Sequence, residues 1–205
     1  MQDRWLTFIR KIDAIAGTGI HYSKSHFDLE RYLELRELAA QMIADGSDLP
    51  GDTVRSLLAQ GIGYETPRID VRGAIFRDDT ILLVREAMDG KWSIPGGFVD
   101  VGLSISEAVE KEIREESGLI AKAHKLVGYL DRDRIDGVPP YLFHVHKVFF
   151  ICEEIGGSLA TSFETTEVGF HPLDQLPDLS MGRITPDQIA RIAERRSGHL
   201  APFFD

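Results

Sequence analysis

The stretch that decides the fold is Pro95-Gly96-Gly97-Phe98-Val99-Asp100-Val101-Gly102-Leu103-Ser104-Ile105-Ser106-Glu107, which runs on to Lys111-Glu112-Ile113-Arg114-Glu115-Glu116-Ser117-Gly118-Leu119. It opens as a glycine loop, continues as a short acidic helix and ends at a glycine. Ser104 followed three residues later by Glu107 predicts a capping box at the start of the helix, in which each side chain satisfies a backbone donor. Gly118 suits the left-handed position that ends a helix.

Three glutamates, Glu112, Glu115 and Glu116, share one face of this helix, because ~100° per residue places them within an arc of about 100°. A neighbouring apolar stripe can pack on a sheet and consists of Ile105, Val109 and Ile113. Carboxylates this close repel one another unless a cation lies between them, and oxygen-rich sites of this kind suit Mg²⁺ or Mn²⁺. The alternative is a helix face whose charges are simply solvated.

The whole stretch resembles the Nudix box, G-x5-E-x7-R-E-U-x-E-E-x-G-U, in which U is an aliphatic residue. With Gly97 as the first glycine, residues 112–119 agree with the box in register, whereas Leu103 replaces its first Glu and Lys111 replaces its Arg. The resemblance implies an α/β fold, a Nudix-type α/β/α sandwich, and an active enzyme. It also implies that Glu112, Glu115 and Glu116 hold Mg²⁺ or Mn²⁺, with the backbone carbonyl of Gly96 or Gly97 as a further ligand. The replaced Glu and Arg help to hold the ligand carboxylates in a Nudix site, so this site is held differently or is weaker.

Residues 1–62 are predicted to form a small N-terminal helical domain. Helical spacing from Trp5 breaks at Gly17-Thr18-Gly19, a second helix begins with Asp28 as its cap, and a short third helix covers residues 52–60. This segment is similar to the N-terminal domain of Nudix hydrolases that act on X-linked nucleoside diphosphates, a group that includes bacterial CDP-choline and ADP-ribose pyrophosphatases. So small a bundle needs a partner surface, which predicts a homodimer.

Residues 63–205 are predicted to form the Nudix hydrolase domain. Apolar runs at residues 69–76 and 80–84, joined by Arg77-Asp78-Asp79, predict a hairpin. Further strands are expected at residues 125–130, 142–151 and 167–170. A last helix is expected to begin with Thr185 as its cap, Pro186 in its first turn and Gln188 shortly after.

The resemblance implies hydrolysis of the pyrophosphate bond of a nucleoside diphosphate linked to X, of the ADP-ribose or CDP-choline type, giving a nucleoside monophosphate and phospho-X. The catalyst must neutralise oxygens, align the phosphates and activate a water. Nudix enzymes often use as a base either a box glutamate, here Glu115 or Glu116, or one from a distant loop, here Glu164 or Glu167, which could also be solvated loop charges. Candidate substrate-binding residues are Arg72, Arg85, Arg132, Arg134, Tyr141 and His144. Arg132 and Arg134 could instead be solvated loop charges, and Tyr141 and His144 could be packing residues. His144 and His146 alternate on one predicted strand, but a metal site there lacks a further Cys or His at suitable spacing.

The composition limits the kinds of function that the protein can have. A net charge of −10 over 205 residues argues against broad contact with nucleic acid, which needs basic surface. The single cysteine, Cys152, excludes an internal disulfide. No signal peptide or membrane-spanning run is visible, so we expect a cytoplasmic protein. Its expected partner is a small-molecule nucleotide substrate. Two alternatives stay open: a non-hydrolytic Nudix nucleotide sensor, and a nucleoside triphosphate house-cleaning pyrophosphatase.

Overall fold

The computed structural model describes residues 2–59, 64, 66–198 and 200–205, and for residues 2–4 it describes the backbone alone. The chain divides into one unit formed by Met1–Pro67 with Pro140–His144 and a second formed by Arg68–Pro139 with Val145–Asp205. The domain boundary predicted at residues 62 and 63 lies outside the described residues, so it stays a prediction.

The first unit is built from three helices, α1 Gln2–Tyr22, α2 His26–Asp45 and α3 Gly51–Leu58. Their apolar faces meet in a core formed by Ile9, Ala39, Ala40, Ile43, Val54 and Leu58. Leu142 packs against this core from the separate segment Pro140–His144. Its apolar side chain therefore belongs to the helical unit, and the strand predicted to start at residue 142 starts at Val145 instead.

Two predicted helix boundaries are wrong. Helix α1 does not break at Gly17-Thr18-Gly19 but continues to Tyr22. A Cβ on Gly19 would lie 2.5 Å from the Tyr32 ring, so glycine permits close packing of α1 on α2, and this packing outweighs the low helix propensity of glycine. Helix α2 is capped by Ser25, whose hydroxyl accepts the backbone N–H of Asp28, the residue that was predicted to be the cap.

The second unit is a mixed α/β sandwich, as predicted. Its strands are β1 Arg68–Ala74, β2 Phe76–Arg77, β3 Thr80–Glu86, β4 Trp92–Ser93, β5 Leu119–Asp131, β6 Val145–Gly157, β7 Thr165–Pro172 and β8 Phe203–Phe204. Its helices are α4 Ile105–Ser117, a 3-10 turn Arg132–Arg134 and α5 Pro186–Ala193. One sheet has the order β1-β6-β5-β8, with β1 parallel to β6, and the other has the order β2-β3-β4 with β7 paired to β3.

Successive side chains of a strand point to opposite faces of its sheet, and the apolar ones form two hydrophobic cores. On β3, Ile81 and Leu83 face one core, which α5 also covers with Ile189, whereas Leu82 faces the other. The second core packs against α4 through Val109 and Ile113. Helices therefore cover the sheets on both sides, and α4 is fixed beside β1.

Strand β5 is longer than the predicted residues 125–130. Three register shifts along its pairing with β6 interrupt the alternation of apolar and polar residues, so the sequence pattern reveals only part of the strand. The hairpin between Phe76 and Ile81 is confirmed, as are the strand at residues 167–170 and the cap of α5 by Thr185 with Gln188. Among helices of the described residues, none has the length and apolar character needed to cross a membrane.

Candidate functional site

The glycine loop runs alongside β1. Backbone N–H groups of β1 donate to it, from Gly73 to the Pro95 carbonyl and from Val71 to the Gly97 carbonyl, both at 2.9 Å. Gly96 has φ +150°, and a Cβ there would lie 1.9 Å from the Val71 carbonyl oxygen. Only glycine fits so close to the neighbouring backbone at this φ.

Helix α4 begins and ends as predicted. The Ser104 hydroxyl accepts the Glu107 N–H at 3.2 Å, the Glu107 carboxylate accepts the Ser104 N–H at 2.9 Å, and Gly118 ends the helix with φ +74°. The helix packs tightly on β1 at Gly73, where a Cβ would lie 2.7 Å from Ile113 Cδ1. This contact fixes the distance between the acidic helix and the glycine loop.

Glu116 joins the helix to the loop. Its side chain is buried, and its Oε2 accepts the Gly96 N–H at 2.9 Å. Burial raises the pKa of Glu116 to about 8, further helped by the charges of Glu86 and Glu112, although Arg72 and the Gly96 hydrogen bond oppose the shift. A cation that binds beside a buried carboxylate and its neighbouring carboxylates stabilises their ionised forms.

Glu112 lies directly against the loop, because a Cβ on Gly97 would be 2.8 Å from Glu112 Oε2. Burial raises its pKa, and the charges of Glu115 and Glu164 add to that effect while Lys111 opposes it. Glu115, one turn from Lys111, is half exposed and lies 3.0 Å from Lys111 Nζ. Of the three predicted metal ligands, Glu112 and Glu116 therefore lie against the glycine loop, and Glu115 is on the same helix.

These oxygen donors fit a hard divalent cation. Besides the three glutamates of α4, Glu86 is buried at the end of β3 and its Oε1 has no hydrogen-bond donor, although Arg183 Nε lies 3.0 Å away as an ion pair. Burial raises the pKa of Glu86 as well, with contributions from Asp89 and Glu164, and Arg183 and Arg72 oppose it. Carboxylates with backbone carbonyls at a glycine loop are the ligand set that Mg²⁺ and Mn²⁺ accept.

Arg72, a predicted substrate-binding residue, is buried and already engaged by protein groups. Its guanidinium holds Asp70 through two hydrogen bonds of 2.7 and 3.0 Å, and Nη1 donates to the Ile94 carbonyl at 3.4 Å. Lys147, directly opposite Asp70 in the β1–β6 register, brings its Nζ to 3.2 Å from Asp70 Oδ2. Contact of Arg72 with substrate stays a prediction.

The two distant glutamates have different surroundings. Glu164 precedes β7, where the loop is tied down by the Ala87 N–H on the Glu164 carbonyl at 2.8 Å, and its charge raises the pKa of both Glu86 and Glu112. Glu167 instead pairs with Arg85 at 2.5 Å on neighbouring strands. The charge of Glu164 therefore acts on the acidic cluster, whereas Glu167 and Arg85 pair with each other.

The other predicted substrate-binding residues occupy two places, the 3-10 turn of the second unit and the segment Pro140–His144 of the first. Arg132 is buried in the 3-10 turn, and Arg134 is exposed with its Nε 3.5 Å from Asp131. Tyr141 and His144 belong to the first unit, where the Tyr141 ring meets the Phe143 ring edge-on at 5.9 Å between centroids. Their roles toward substrate stay predictions.

Sequence reasoning missed Asp70, Glu86 and Lys147. The signal was available: each is a charged residue within an apolar strand, and Asp70 and Arg72 stand two apart on the same face of β1. Charged residues are seldom buried unless they are paired. What the sequence did not supply was the register that sets Lys147 opposite Asp70.

Two family models match the chain. Residues 3–58 match the model described as "UDP-X-like, N-terminal oligomerisation domain", and residues 66–191 match the NUDIX domain.

Two relatives match nearly the whole chain, and a third matches about two thirds of it. YjhB of Bacillus subtilis (strain 168), provisionally named an ADP-ribose pyrophosphatase, is 43% identical over 192 residues, which are 94% of this chain and 92% of YjhB. The crystal structure of a UDP-X diphosphatase is 35% identical with a TM-score of 0.65, covering 100% of this chain and 99% of that one. The structure of an ADP-ribose pyrophosphatase from Streptococcus suis 89-1591 is 42% identical with a TM-score of 0.62, covering 68% of this chain and 100% of that one.

Proposed function

This chain belongs to the Nudix hydrolase family, and from that premise we propose that it uses Mg²⁺ or Mn²⁺ to hydrolyse the pyrophosphate bond of a nucleoside diphosphate linked to X. The observation that carries the proposal is the packing of two carboxylates, the buried Glu116 and the partly buried Glu112, against the Gly96-Gly97 loop. Negative charge concentrated beside a loop without side chains leaves room for a cation and for phosphate oxygens.

The residues of the site divide the tasks of the proposed reaction among three groups. Glu112, Glu115 and Glu116 hold the divalent cation, which when bound neutralises phosphate oxygens and lowers the pKa of water. Gly96 and Gly97 let the phosphates approach the backbone. Water attacks one phosphorus, the P–O bond to the bridging oxygen breaks, and the proton of the water passes to a carboxylate, for which Glu164 is our first candidate because its charge acts on Glu112.

The identity of X is proposed from the relatives. Two of those compared above carry ADP-ribose in their names and one carries UDP-X, which supports ADP-ribose or a UDP-linked group as the substrate. CDP-choline remains a further candidate from the resemblance of the N-terminal domain. The products would be a nucleoside monophosphate and phospho-X.

A substrate panel tests the proposal. ADP-ribose, a UDP-sugar, CDP-choline and the four dNTPs are incubated with Mg²⁺ or Mn²⁺, and the products are separated by ion-exchange chromatography. The wild type is compared with Glu116→Gln and with Glu153→Gln, which removes an exposed carboxylate of β6. We expect a nucleoside monophosphate from a linked diphosphate, lost in Glu116→Gln and kept in Glu153→Gln. Release of pyrophosphate from dNTPs alone would instead support the triphosphatase alternative, and nucleotide binding without turnover would support the sensor.

We also propose that the protein is a cytoplasmic homodimer whose copies meet through the N-terminal helices. The name of the family model for residues 3–58 supports oligomerisation. The large apolar side chains of α1 that are exposed are Trp5, Phe8, Ile15 and Tyr22. Light scattering should give twice the mass of one chain, and the mass of a single chain at micromolar concentration would refute the dimer.

A further inference from the structure

Arg183 lies close to the proposed cation site and has no task in the reaction proposed above. Its Nε lies 3.0 Å from Glu86 Oε1, and its Nη1 lies 3.3 Å from Asp89 Oδ2 and donates to Ser180 Oγ at 3.0 Å. The Arg183 side chain is 25% exposed, whereas that of Glu86 is 7% exposed. Two acids and a hydroxyl therefore hold Nε and Nη1, while the side chain still reaches solvent.

The backbone that carries Arg183 is fixed to the strand that enters the glycine loop. The Arg183 N–H donates to the Ser180 carbonyl at 2.7 Å, and the Ser180 N–H donates to the Trp92 carbonyl at 2.8 Å. Trp92 begins β4, which leads directly into the glycine loop. On the other side, the buried Lys147 donates from its Nζ to the Arg183 carbonyl. Arg183 therefore has a defined position relative to the loop beside which the cation is proposed to bind.

Glu86 connects Arg183 to the carboxylates of the proposed cation site. It lies opposite Thr165 in the β3–β7 register, and the Thr165 hydroxyl donates to the backbone carbonyl of Glu116 at 2.8 Å. The charge of Glu86 acts on Glu116, and the charge of Glu164 acts on Glu86. Arg183 thus places a positive charge at the edge of the proposed cation site.

The guanidinium of Arg183 can bind a further anion. Glu86 Oε1 receives no hydrogen bond, so its 3.0 Å contact with Arg183 Nε is a charge contact without hydrogen-bond alignment. The remaining nitrogen, Nη2, contacts Met88 Sδ at 3.8 Å, and a thioether sulfur is a weak acceptor. Arg72, by comparison, is buried and already gives two hydrogen bonds to Asp70. Arg183 can therefore turn Nη2 to a phosphate oxygen at little cost, because the contact that it gives up is weak.

We propose that Arg183 binds a phosphate oxygen of the linked diphosphate, and that Glu86 and Asp89 hold its guanidinium in position for that contact. This role rests on the proposed function, because it requires a diphosphate bound through the cation beside Gly96 and Gly97. A diphosphate is itself negative, so the carboxylates of the site repel it and a positive group beside the cation favours its binding. A guanidinium suits that task because it can bind phosphate oxygens through paired N–H groups.

The test separates binding of the anion from binding of the cation. The anion probe is methylenediphosphonate, a diphosphate analogue that cannot be hydrolysed and carries neither a nucleoside nor X, titrated calorimetrically into the full-length protein with Mg²⁺. We expect Arg183→Met to bind it about 10–100-fold more weakly, because a hydrogen bond between charged groups is lost. Binding of Mn²⁺ alone, followed by the EPR signal of free Mn²⁺, should be at least as tight as in the wild type, because the variant removes a positive charge.

Two further variants serve as controls. Lys91→Met removes the same charge from the loop between β3 and β4, where Lys91 Nζ pairs with the exposed Asp178 at 3.2 Å, and should leave the affinity for methylenediphosphonate unchanged. Arg183→Lys keeps a positive charge beside Glu86 but loses the planar fork, so it should fold like the wild type and recover only part of the affinity.

The outcomes distinguish this role from the proposed function. Wild-type affinity of Arg183→Met for methylenediphosphonate overturns the role of Arg183, and so does equal weakening by Lys91→Met, because the effect would then be one of net charge. Weaker Mn²⁺ binding by Arg183→Met also overturns it, because the loss would then act through the cation site. If Arg183→Met does not fold, Arg183→Lys decides, and wild-type affinity in that variant overturns the role. Absence of Mn²⁺ binding and of turnover in the wild type removes the proposed function as well.

Discussion

Replacing Asp70 by Asn should cost far more stability than the same change at the surface. Asp70 is buried and is the shared anion of Arg72 and Lys147, which are 5% and 2% exposed. Arg72 and Lys147 lower the pKa of Asp70 despite its burial, so it is ionised at neutral pH. Removing the charge leaves two buried cations without their counter-ion, and breaking a buried pair costs about 3–5 kcal/mol.

The assay is urea unfolding at neutral pH, followed by tryptophan fluorescence. The chain has two tryptophans, Trp5 in the first unit and Trp92 in the second. A Trp5→Phe background therefore reports the second unit through Trp92 alone, which avoids treating two units as one transition.

The matched control is Asp178→Asn, in the same unit. Asp178 pairs with Lys91 at 3.2 Å but is 77% exposed, so its loss should cost ~0–1 kcal/mol. A cost at Asp70 no larger than at Asp178 would refute the reasoning, because it would mean that the Asp70 cluster is hydrated or not formed.

Three further predictions follow from the site. Gly97→Ala should weaken Mn²⁺ binding measured by EPR without loss of secondary structure, because its Cβ would lie 2.8 Å from a Glu112 oxygen; unchanged affinity would argue against that packing. Burial lowers the pKa of Lys147 to about 8, whereas an unfolded lysine has a pKa of ~10.4. Between these two pH values the unfolded chain binds more protons than the folded chain, so the free energy of unfolding rises with pH. Lys147→Met should flatten that rise in urea titrations, and an equal slope in both proteins would contradict the shift. Glu164→Gln should lower kcat by about 100-fold or more if Glu164 is the base, and a larger loss in Glu167→Gln would move that role to Glu167.

Helix α4 was predictable because its determinants are local. The caps at Ser104 and Gly118 and the shared face of the glutamates depend on residues within a few positions of one another. The match to the box then supplied the fold that surrounds the helix.

The parts of the fold and of the site that the sequence did not predict depend on contacts between residues far apart in the chain. Gly19 reads as a helix breaker until Tyr32 is known to pack on it, and Leu142 reads as strand until its place in the helical core is known. The charge cluster around Asp70 requires the strand register of β1 and β6. In each case a local preference is outweighed by packing that the linear sequence does not display.

The central claim is that the glutamates of α4 and the glycine loop bind the catalytic cation. Anomalous scattering at the Mn edge, from crystals soaked with Mn²⁺, locates the ion directly. We predict a peak in coordination contact with Glu112 and Glu116 beside Gly96, absent from Glu116→Gln crystals. A peak elsewhere, or one that is unchanged in Glu116→Gln, would contradict it.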